Sequence, residues 1–193
     1  MSVERIQALE LISSQLPDDP LVFTCGSTCR EMAAADRREN HLYVIDSMGL
    51  VASIVLGLSL GLDGNPQRRV VGVEGDGGML ANLTALATIG YLQPRNLLLI
   101  VLDNQSYAST GGQPTFTTNL DLADIAASCN LRTWKADDLE SLKLAIVEAV
   151  DTPGPAFIHM QIAPGNARVP LLLDDPVTLG DRFNRWLSSV MES

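Results

Sequence analysis

Asp76 and Asn104 are the side chains whose types and spacing best suit cation chemistry. Asp76 lies in a glycine-rich turn that follows the strand-like run 70–73. Asn104 lies just after a second apolar run, 97–102. When a helix separates two such strands, both side chains lie at the carboxyl ends of the strands, where open α/β sheets bind ligands. A carboxylate and an amide oxygen suit Mg²⁺, which prefers oxygen ligands from protein, phosphates and water.

The turn around Asp76 also favours an anion beside the cation. A helix predicted to start at about Gly78 would aim free backbone N–H groups at an anion in the same place. Asp76 alone would repel a phosphate, so a bridging cation resolves the conflict. The alternative is that Asp76 only caps a helix.

Helical and strand-like patterns alternate around these two turns. Helices are predicted at residues 3–16, 28–37, 49–62, 79–90, 120–129 and 138–150, with a closing helix around 183–190. Strands are predicted at 21–24, 41–45, 69–73, 97–102, 131–135 and 156–162. This alternation predicts an α/β fold, in which a single three-layer domain over residues 1–193 has a mostly parallel sheet covered by helices on both faces.

Three local features complete the predicted layout. Thr28 is the expected N-cap of its helix. The helix from Gly49 is expected to end at Gly61 or Gly64. Residues 105–119 are polar and glycine-containing, and a segment of this length is more typical of a functional loop than of a spacer.

Composition and charge narrow the function classes. The chain has 193 residues, of which 46% are hydrophobic, and this supports one sizeable core. A formal net charge of −10 disfavours nucleic acid and anionic membranes as partners. The apolar run 97–102 is too short to cross a membrane, and the N-terminus lacks the layout of a signal peptide. We expect a cytoplasmic protein.

The three cysteines are expected to be small buried thiols. Cys25, Cys29 and Cys129 are odd in number, which disfavours a disulfide framework. A metal site built on them would need more partners, and only His41 and His159 are available.

Several separated motifs resemble those of the thiamine diphosphate (ThDP) enzymes. The Gly75-Asp76-Gly77 turn, taken with Asn104, is similar to the cofactor signature of that family. Further segments resemble the sulfopyruvate and phosphonopyruvate decarboxylases in order and spacing, namely 47–54, 87–91 and 109–113. The resemblance covers most of the chain and implies the ThDP-binding fold.

The resemblance implies a set of cofactor and metal contacts. The implied Mg²⁺ ligands are Asp76, the side-chain oxygen of Asn104 and the backbone carbonyl of Ser106. The implied cofactor-binding residues are Gly26, Ser27, Thr28, Asp46, Ser47, Met48, Gly75, Gly77, Gly78 and Tyr107. Glycines at 77 and 78 let the backbone approach the diphosphate, although relatives often carry Ala or Ser at position 78. Helix capping is the alternative role for Ser27 and Thr28.

Met48 is the residue that the resemblance assigns to shaping the cofactor. In the family, an apolar residue at this place holds the two rings of the cofactor in a bent form. The carbonyl of Asp46 would accept the amino group of the pyrimidine. The alternative is that Met48 fills the core, as a methionine at a strand end usually does.

The family activates its cofactor with a glutamate from a separate pyrimidine-binding domain, and no segment here resembles that domain. Glu31 and Glu74 lie near motifs without the matching context, so both are expected to be structural. No catalytic residue is therefore expected in this chain. We expect an α subunit to supply the glutamate in a hetero-oligomer, as in sulfopyruvate decarboxylases that are split into two subunits. Leu50, which follows Ser-Met-Gly, also resembles the β subunit of the split enzymes, since fused relatives often carry His at this place.

The implied reaction is decarboxylation of a small 2-oxo acid, most similar to the conversion of 3-sulfopyruvate to sulfoacetaldehyde and CO₂. The cofactor provides the electron sink for this step. Phosphonopyruvate or another 2-oxo acid is an alternative substrate, and a non-catalytic ThDP-binding regulatory subunit is an alternative function.

Two groups of residues are candidates for substrate contacts. The loop at 106–113 would close over the site, and its candidate polar contacts are Ser109, Thr110 and Gln113. These hydroxyls could equally organise only the loop itself. An anionic substrate tail suits a bidentate arginine, and the sequence alone places none of the candidates: Arg30, Arg68, Arg69, Arg95 and Arg168.

Overall fold

Helices and strands alternate along the chain, as predicted. The computed structural model describes residues 2–62 and 69–191. Within them the α-helices are α1 (Arg5–Gln15), α2 (Ser27–Ala35), α3 (Val51–Gly61), α4 (Asp76–Ala81), α5 (Thr84–Leu92), α6 (Leu122–Ser128), α7 (Leu139–Asp151) and α8 (Pro176–Met191). The strands are β1 (Leu21–Phe23), β2 (His41–Tyr43), β3 (Val70–Gly75), β4 (Leu97–Asp103), β5 (Ser106–Tyr107), β6 (Gln113–Pro114), β7 (Arg132–Ala136) and β8 (Ala156–Gln161). Gly64 and Arg68, named above, lie outside the described residues.

Six of these strands form one parallel sheet in the order β2-β1-β3-β4-β8-β7. β3 and β4 are neighbours, and their register runs from Val70 opposite Leu97 to Gly75 opposite Leu102. Because the strands are parallel and in this register, the residues that follow them leave the sheet at the same edge. Asp76 and Asn104 are therefore brought to one place, as the sequence predicts.

Both faces of the sheet are buried, which confirms the three-layer arrangement. Along β4, Leu98 and Ile100 pack into a core with apolar residues of α1 and α7. Leu99 and Val101 pack into a second core with residues of α3 and α5. An unbroken apolar run is the pattern expected for a central parallel strand, because its alternate side chains enter two different cores.

Two local predictions are wrong. The helix predicted over 79–90 is two helices, α4 and α5. Asn82 ends α4 with φ −143° and ψ 50°, and its Nδ2 donates a hydrogen bond to the Gly49 carbonyl at 2.9 Å. An asparagine that bonds to nearby backbone groups competes with helix continuation. Thr28 is not an N-cap, because α2 starts one residue earlier. Its N-cap is Gly26, whose φ of 77° favours glycine.

The polar segment 105–119 has more structure than a plain loop. β5 and β6 pair in an antiparallel hairpin, and a short 3₁₀ turn covers Phe116–Thr118. Thr115 and Thr117 point inward and are buried, although Phe116 between them is exposed. The segment therefore packs against the end of the sheet, next to the turn that contains Asp76.

Candidate functional site

A cavity of about 390 Å³ opens at the carboxyl ends of β1, β3 and β4. All of the predicted cofactor and metal residues line it except Ser47. Those that do are Gly26, Ser27, Thr28, Asp46, Met48, Gly75, Asp76, Gly77, Gly78, Asn104, Ser106 and Tyr107. The fold thus gathers residues from four separate segments around one space, while the Ser47 side chain is left out of its wall.

Asp76 is the first residue of α4, and it is buried with 3% exposure. Its Oδ2 accepts a hydrogen bond of 2.6 Å from the Thr115 hydroxyl. Burial raises the pKa of Asp76; the bond from Thr115 opposes this, and the nearby charge of Asp103 adds to it, so that the pKa lies above its usual range. A cation in the cavity would stabilise the charged carboxylate at this position.

Asn104 and Ser106 lie in the part of the cavity wall that follows β4. The Asn104 Oδ1 accepts the N–H of Ser106 at 3.1 Å. A carbonyl oxygen has two lone pairs, so Oδ1 can still coordinate a cation. The Nδ2 of Asn104 is buried and has no hydrogen-bond partner in the protein. Buried polar atoms are normally paired, so this donor indicates that the cavity accommodates a polar ligand.

Side chains of this protein occupy the space beside two glycines of the turn. A Cβ on Gly77 would overlap the Tyr107 ring, and a Cβ on Gly78 would overlap the Glu74 carboxylate. The turn therefore presents backbone rather than side chains at the start of α4. Tyr107 packs on this turn, which agrees with a packing role for its ring.

Glu74 is a residue of the cavity whose position sequence reasoning did not anticipate. It is buried with 1% exposure, and its Oε1 accepts the Gly75 N–H at 3.0 Å. Its Oε2 has no hydrogen-bond partner in the protein. Burial raises the pKa of Glu74 to about 7. Because Glu74 directly precedes the Gly-Asp-Gly turn in the sequence, its position could have indicated that it lies at the cavity.

The start of α2 forms another part of the cavity wall. Ser27 and Thr28 are buried in the first turn of this helix, and Gly26 before them has a positive φ. The Ser27 and Ser109 hydroxyls lie 3.3 Å apart, so the segment after β5 closes on the start of α2. The first turn of α2 and the turn that contains Asp76 therefore line the same cavity.

Met48 does not fill the core. Its side chain is 53% exposed beside the cavity, and Leu50 is 45% exposed. Asp46, which also lines the cavity, adopts a φ of 58°. The segment between β2 and α3 thus projects an apolar side chain at the mouth of the cavity, where it can contact a ligand or another protein.

Arg5 is the arginine that lines the cavity among the described residues, and it is not one of the candidates that the sequence suggested. Its Nη1 pairs with the buried carboxylate of Glu31 at 2.8 Å. Arg30 and Arg69 instead donate to backbone carbonyls elsewhere in the fold. Arg5 came from a helix that contains no motif, so only the packing of α1 against α2 revealed it.

The described residues contain no group of three or more His, Cys, Asp or Glu side chains that could hold a metal ion. Cys29 is buried, and burial raises the pKa of its thiol. Cys25 is half-buried in the cavity wall, and burial raises the pKa of this thiol as well. Neither cysteine is activated as a thiolate. In the parts of the chain that the structure describes, no helix is long and apolar enough to span a membrane.

Comparison with known proteins gives one family and a consistent set of relatives. The family model of the thiamine pyrophosphate enzyme, C-terminal TPP binding domain, matches residues 25–160. Sulfopyruvate decarboxylase subunit beta of Methanothermobacter thermautotrophicus is 38% identical over 193 residues, which are 100% of both chains. Phosphonopyruvate decarboxylase of Streptomyces viridochromogenes is 41% identical over 84% of this chain but only 40% of its own length.

The fold is also found in solved structures. Benzoylformate decarboxylase from Polynucleobacter necessarius superposes with a TM-score of 0.73 at 21% identity. The match covers 86% of this chain and 34% of that structure. At this identity the likeness concerns the fold, and it confirms the predicted α/β architecture.

Proposed function

The chain belongs to the thiamine pyrophosphate enzymes, in the family of their C-terminal TPP binding domain, and from this membership we propose that it is the β subunit of a Mg²⁺-dependent 2-oxo acid decarboxylase. The proposed substrate is 3-sulfopyruvate, and the products are sulfoacetaldehyde and CO₂. Relatives named sulfopyruvate decarboxylase subunit beta match this chain over 95% to 100% of its length. The observation that carries the proposal is the gathering of Asp76, Asn104 and Ser106 around one cavity.

The residues present fit ThDP and Mg²⁺. The cavity combines a buried carboxylate, an amide with a donor that lacks a partner, and a glycine turn in its wall. Asp76, the Asn104 oxygen and the Ser106 carbonyl would hold the cation. Gly26, Ser27 and Thr28 would hold the diphosphate from the other side, together with Gly77 and Gly78.

When bound, the cofactor supplies the electron sink that decarboxylation of a 2-oxo acid requires. The contribution of this chain is to hold the cofactor, to orient it and to enclose it. Met48, at the mouth of the cavity, would keep the cofactor bent, and the Asp46 carbonyl would accept its amino group. The segment 106–110 lines the cavity and would limit the access of water to it.

We assign the activating glutamate to a partner subunit. The relatives that match this chain end to end are named as β subunits, and the chain spans about 40% of the phosphonopyruvate decarboxylases that it matches. Met48 and Leu50 leave large apolar surfaces exposed beside the cavity, which suits coverage by another chain. An α subunit with a pyrimidine-binding domain would supply the glutamate and the missing wall.

Phosphonopyruvate is the second candidate substrate. Its support is the 40% and 41% identity to phosphonopyruvate decarboxylases over 84% of this chain. Sulfonate and phosphonate tails are both tetrahedral anions, so a guanidinium in the cavity would suit either. An assay in which sulfopyruvate and phosphonopyruvate compete for the enzyme would show whether the sulfonate or the phosphonate is preferred.

The proposal is tested by reconstitution. The purified chain, with ThDP and Mg²⁺, is expected to release little CO₂ from sulfopyruvate. Addition of an α subunit is expected to restore release, measured as CO₂ and sulfoacetaldehyde in equal amounts. Full activity of the isolated chain would contradict the half-site assignment, and inactivity of the pair on every 2-oxo acid tested would contradict the decarboxylase assignment.

Asp76→Ala tests the metal site directly. We expect this variant to lose Mg²⁺-dependent retention of ThDP, because the buried carboxylate is the charged ligand of the set. Asp181→Ala, on the exposed face of α8, is the matched control, since its side chain is 61% exposed. Unchanged retention in Asp76→Ala would remove Asp76 from the ligands.

A further inference from the structure

A continuous line of buried side chains runs away from Asp76, behind the wall of the cavity. The Thr115 hydroxyl donates to Asp76 Oδ2 at 2.6 Å, and the Thr115 and Thr117 hydroxyl oxygens lie 2.8 Å apart. The Thr117 hydroxyl bonds to Asp103 Oδ1 at 2.9 Å. The Asp103 Oδ2 bonds to His159 Nε2 at 2.8 Å. None of the four residues beyond Asp76 lines the cavity itself.

The line joins four parts of the fold. Asp76 starts α4, Asp103 ends β4, His159 lies in β8, and the two threonines lie after β6. All five residues are buried, with exposures between 2% and 7%. Buried polar groups are costly unless they are bonded. Thr115 donates to Asp76 and Thr117 donates to Asp103, so both hydroxyl protons are committed, and the 2.8 Å approach of the two threonine oxygens is a contact rather than a third hydrogen bond. Such a network holds its members in one arrangement.

The network commits one oxygen of Asp76 to the protein. With Oδ2 fixed by Thr115, the carboxylate plane cannot rotate freely, so its position relative to Asn104 is set before a cation arrives. Asp103 is in turn held by three donors, since the Gln105 N–H bonds to Oδ1 at 2.8 Å in addition to Thr117 and His159. Hydrogen bonds that orient metal ligands commonly change metal affinity by about 10- to 100-fold when removed.

We infer that Thr115, Thr117, Asp103 and His159 are positioning residues that orient Asp76 for the divalent cation. This inference rests on the proposed function, because it requires a cation at Asp76. It extends that function by assigning a role to the end of the 105–119 segment and to β8. Thr115 bonds to Asp76 directly, and Asp103 and His159 hold Thr117 in contact with Thr115.

The test measures ThDP retention by the full chain in equilibrium dialysis at stepped MgCl₂ concentrations. Thr115→Val keeps the shape but removes the donor, and we expect the Mg²⁺ concentration for half-maximal retention to rise about 10- to 100-fold. Thr115→Ser restores a hydroxyl and is expected to lie close to the unmodified protein. Thr118→Val is the matched control, since the Thr118 side chain is exposed and its hydroxyl bonds only to the Thr115 carbonyl.

A double variant separates positioning from general loss of packing. We expect His159→Gln to raise the Mg²⁺ concentration for half-maximal retention less than Thr115→Val does. We expect the double variant, Thr115→Val with His159→Gln, to require no more Mg²⁺ than Thr115→Val alone. This follows because both changes act through the same carboxylate, so their effects do not add. Thermal unfolding without Mg²⁺ verifies that each variant is folded.

Three outcomes decide the inference. Wild-type Mg²⁺ dependence in folded Thr115→Val would overturn it, and so would an equal shift in Thr118→Val or simple additivity in the double variant. If the unmodified chain retains no ThDP at any Mg²⁺ concentration, with or without the partner subunit, the proposed function itself fails. That result is distinguishable, because it appears before any variant is made.

Discussion

The two histidines of the chain are both buried in the same sheet, but their surroundings differ. His41, in β2, is fully buried; its ring lies edge-on to Phe23 at 5.1 Å, and its nitrogens make only long contacts of 3.3 Å, to Ser13 and Tyr43. His159, in β8, bonds directly to the Asp103 carboxylate at 2.8 Å. Residue type and burial alone would have assigned them the same role.

Burial alone therefore does not fix the surroundings of a histidine, because His159 bonds to a buried carboxylate and His41 does not. Burial lowers the pKa of His41 to about 4, because the charged ring is poorly solvated there. At the other histidine, burial raises the pKa of Asp103, but hydrogen bonds from His159, the Gln105 N–H and Thr117 more than offset this, so the pKa falls below its usual range. Asp103 is thereby kept charged next to the candidate metal site.

The largest expected effect is the loss of the carboxylate that supports His159. Asp103→Ala leaves His159, Thr117 and a backbone N–H without their acceptor, and we expect a loss of about 3–5 kcal/mol in the free energy of unfolding, because each buried donor left without a partner costs about 1–3 kcal/mol. Asp36→Ala is the matched change near His41; its side chain is 32% exposed, so its loss should stay below about 1 kcal/mol. Urea unfolding measures both, and equal losses would erase the distinction between the two regions.

The next effect is a pH dependence that belongs to His41. The folded pKa of about 4 lies below the ordinary value of 6.5, so the unfolded chain binds a proton that the folded chain excludes. Stability from this group is therefore complete above pH 6.5 and is lost as pH falls towards 4. The expected loss is roughly 3 kcal/mol, from about 1.4 kcal/mol for each pKa unit.

His41→Gln isolates this contribution, since glutamine keeps polar atoms but does not titrate. The free energy of unfolding, measured at pH 7 and at pH 4, should fall less in the variant than in the unmodified protein. The difference between the two pH slopes is the quantity attributed to His41. Identical slopes would show that His41 is protonated in the fold as easily as in the unfolded chain.

The smallest expected effect on stability comes from removing the basic side chain that lies near each histidine. Arg182 donates to the His41 carbonyl at 2.9 Å and lies over the Tyr43 ring at 5.7 Å, so Arg182→Met should cost about 1–2 kcal/mol. Lys135, which pairs with Asp121 near His159, is 55% exposed, and Lys135→Met should change stability little. Melting temperatures of the two variants provide the measurement, and a larger shift for Lys135 would contradict it.

Much of the fold and most of the candidate site could be predicted because they depend on local patterns. The six parallel strands follow from alternating apolar runs and turns, and the glycines from 75 to 78 mark the turn that follows a buried strand. The wrong predictions also have a physical cause. Asn82 breaks the helix predicted over 79–90 because its side chain bonds to Gly49, a partner far away in sequence.

What the sequence by itself determined about this protein is the parallel α/β order and the meeting of Asp76 with Asn104, because residue periodicity and strand-end turns are local properties. Only the tertiary structure decided that Glu74 and Arg5 line the cavity, that Met48 is exposed, and that the two histidines differ. The reason is that a side chain's neighbours across the sheet come from distant segments. His159 bonds to Asp103 through the pairing of β4 with β8, and no spacing along the chain encodes that contact.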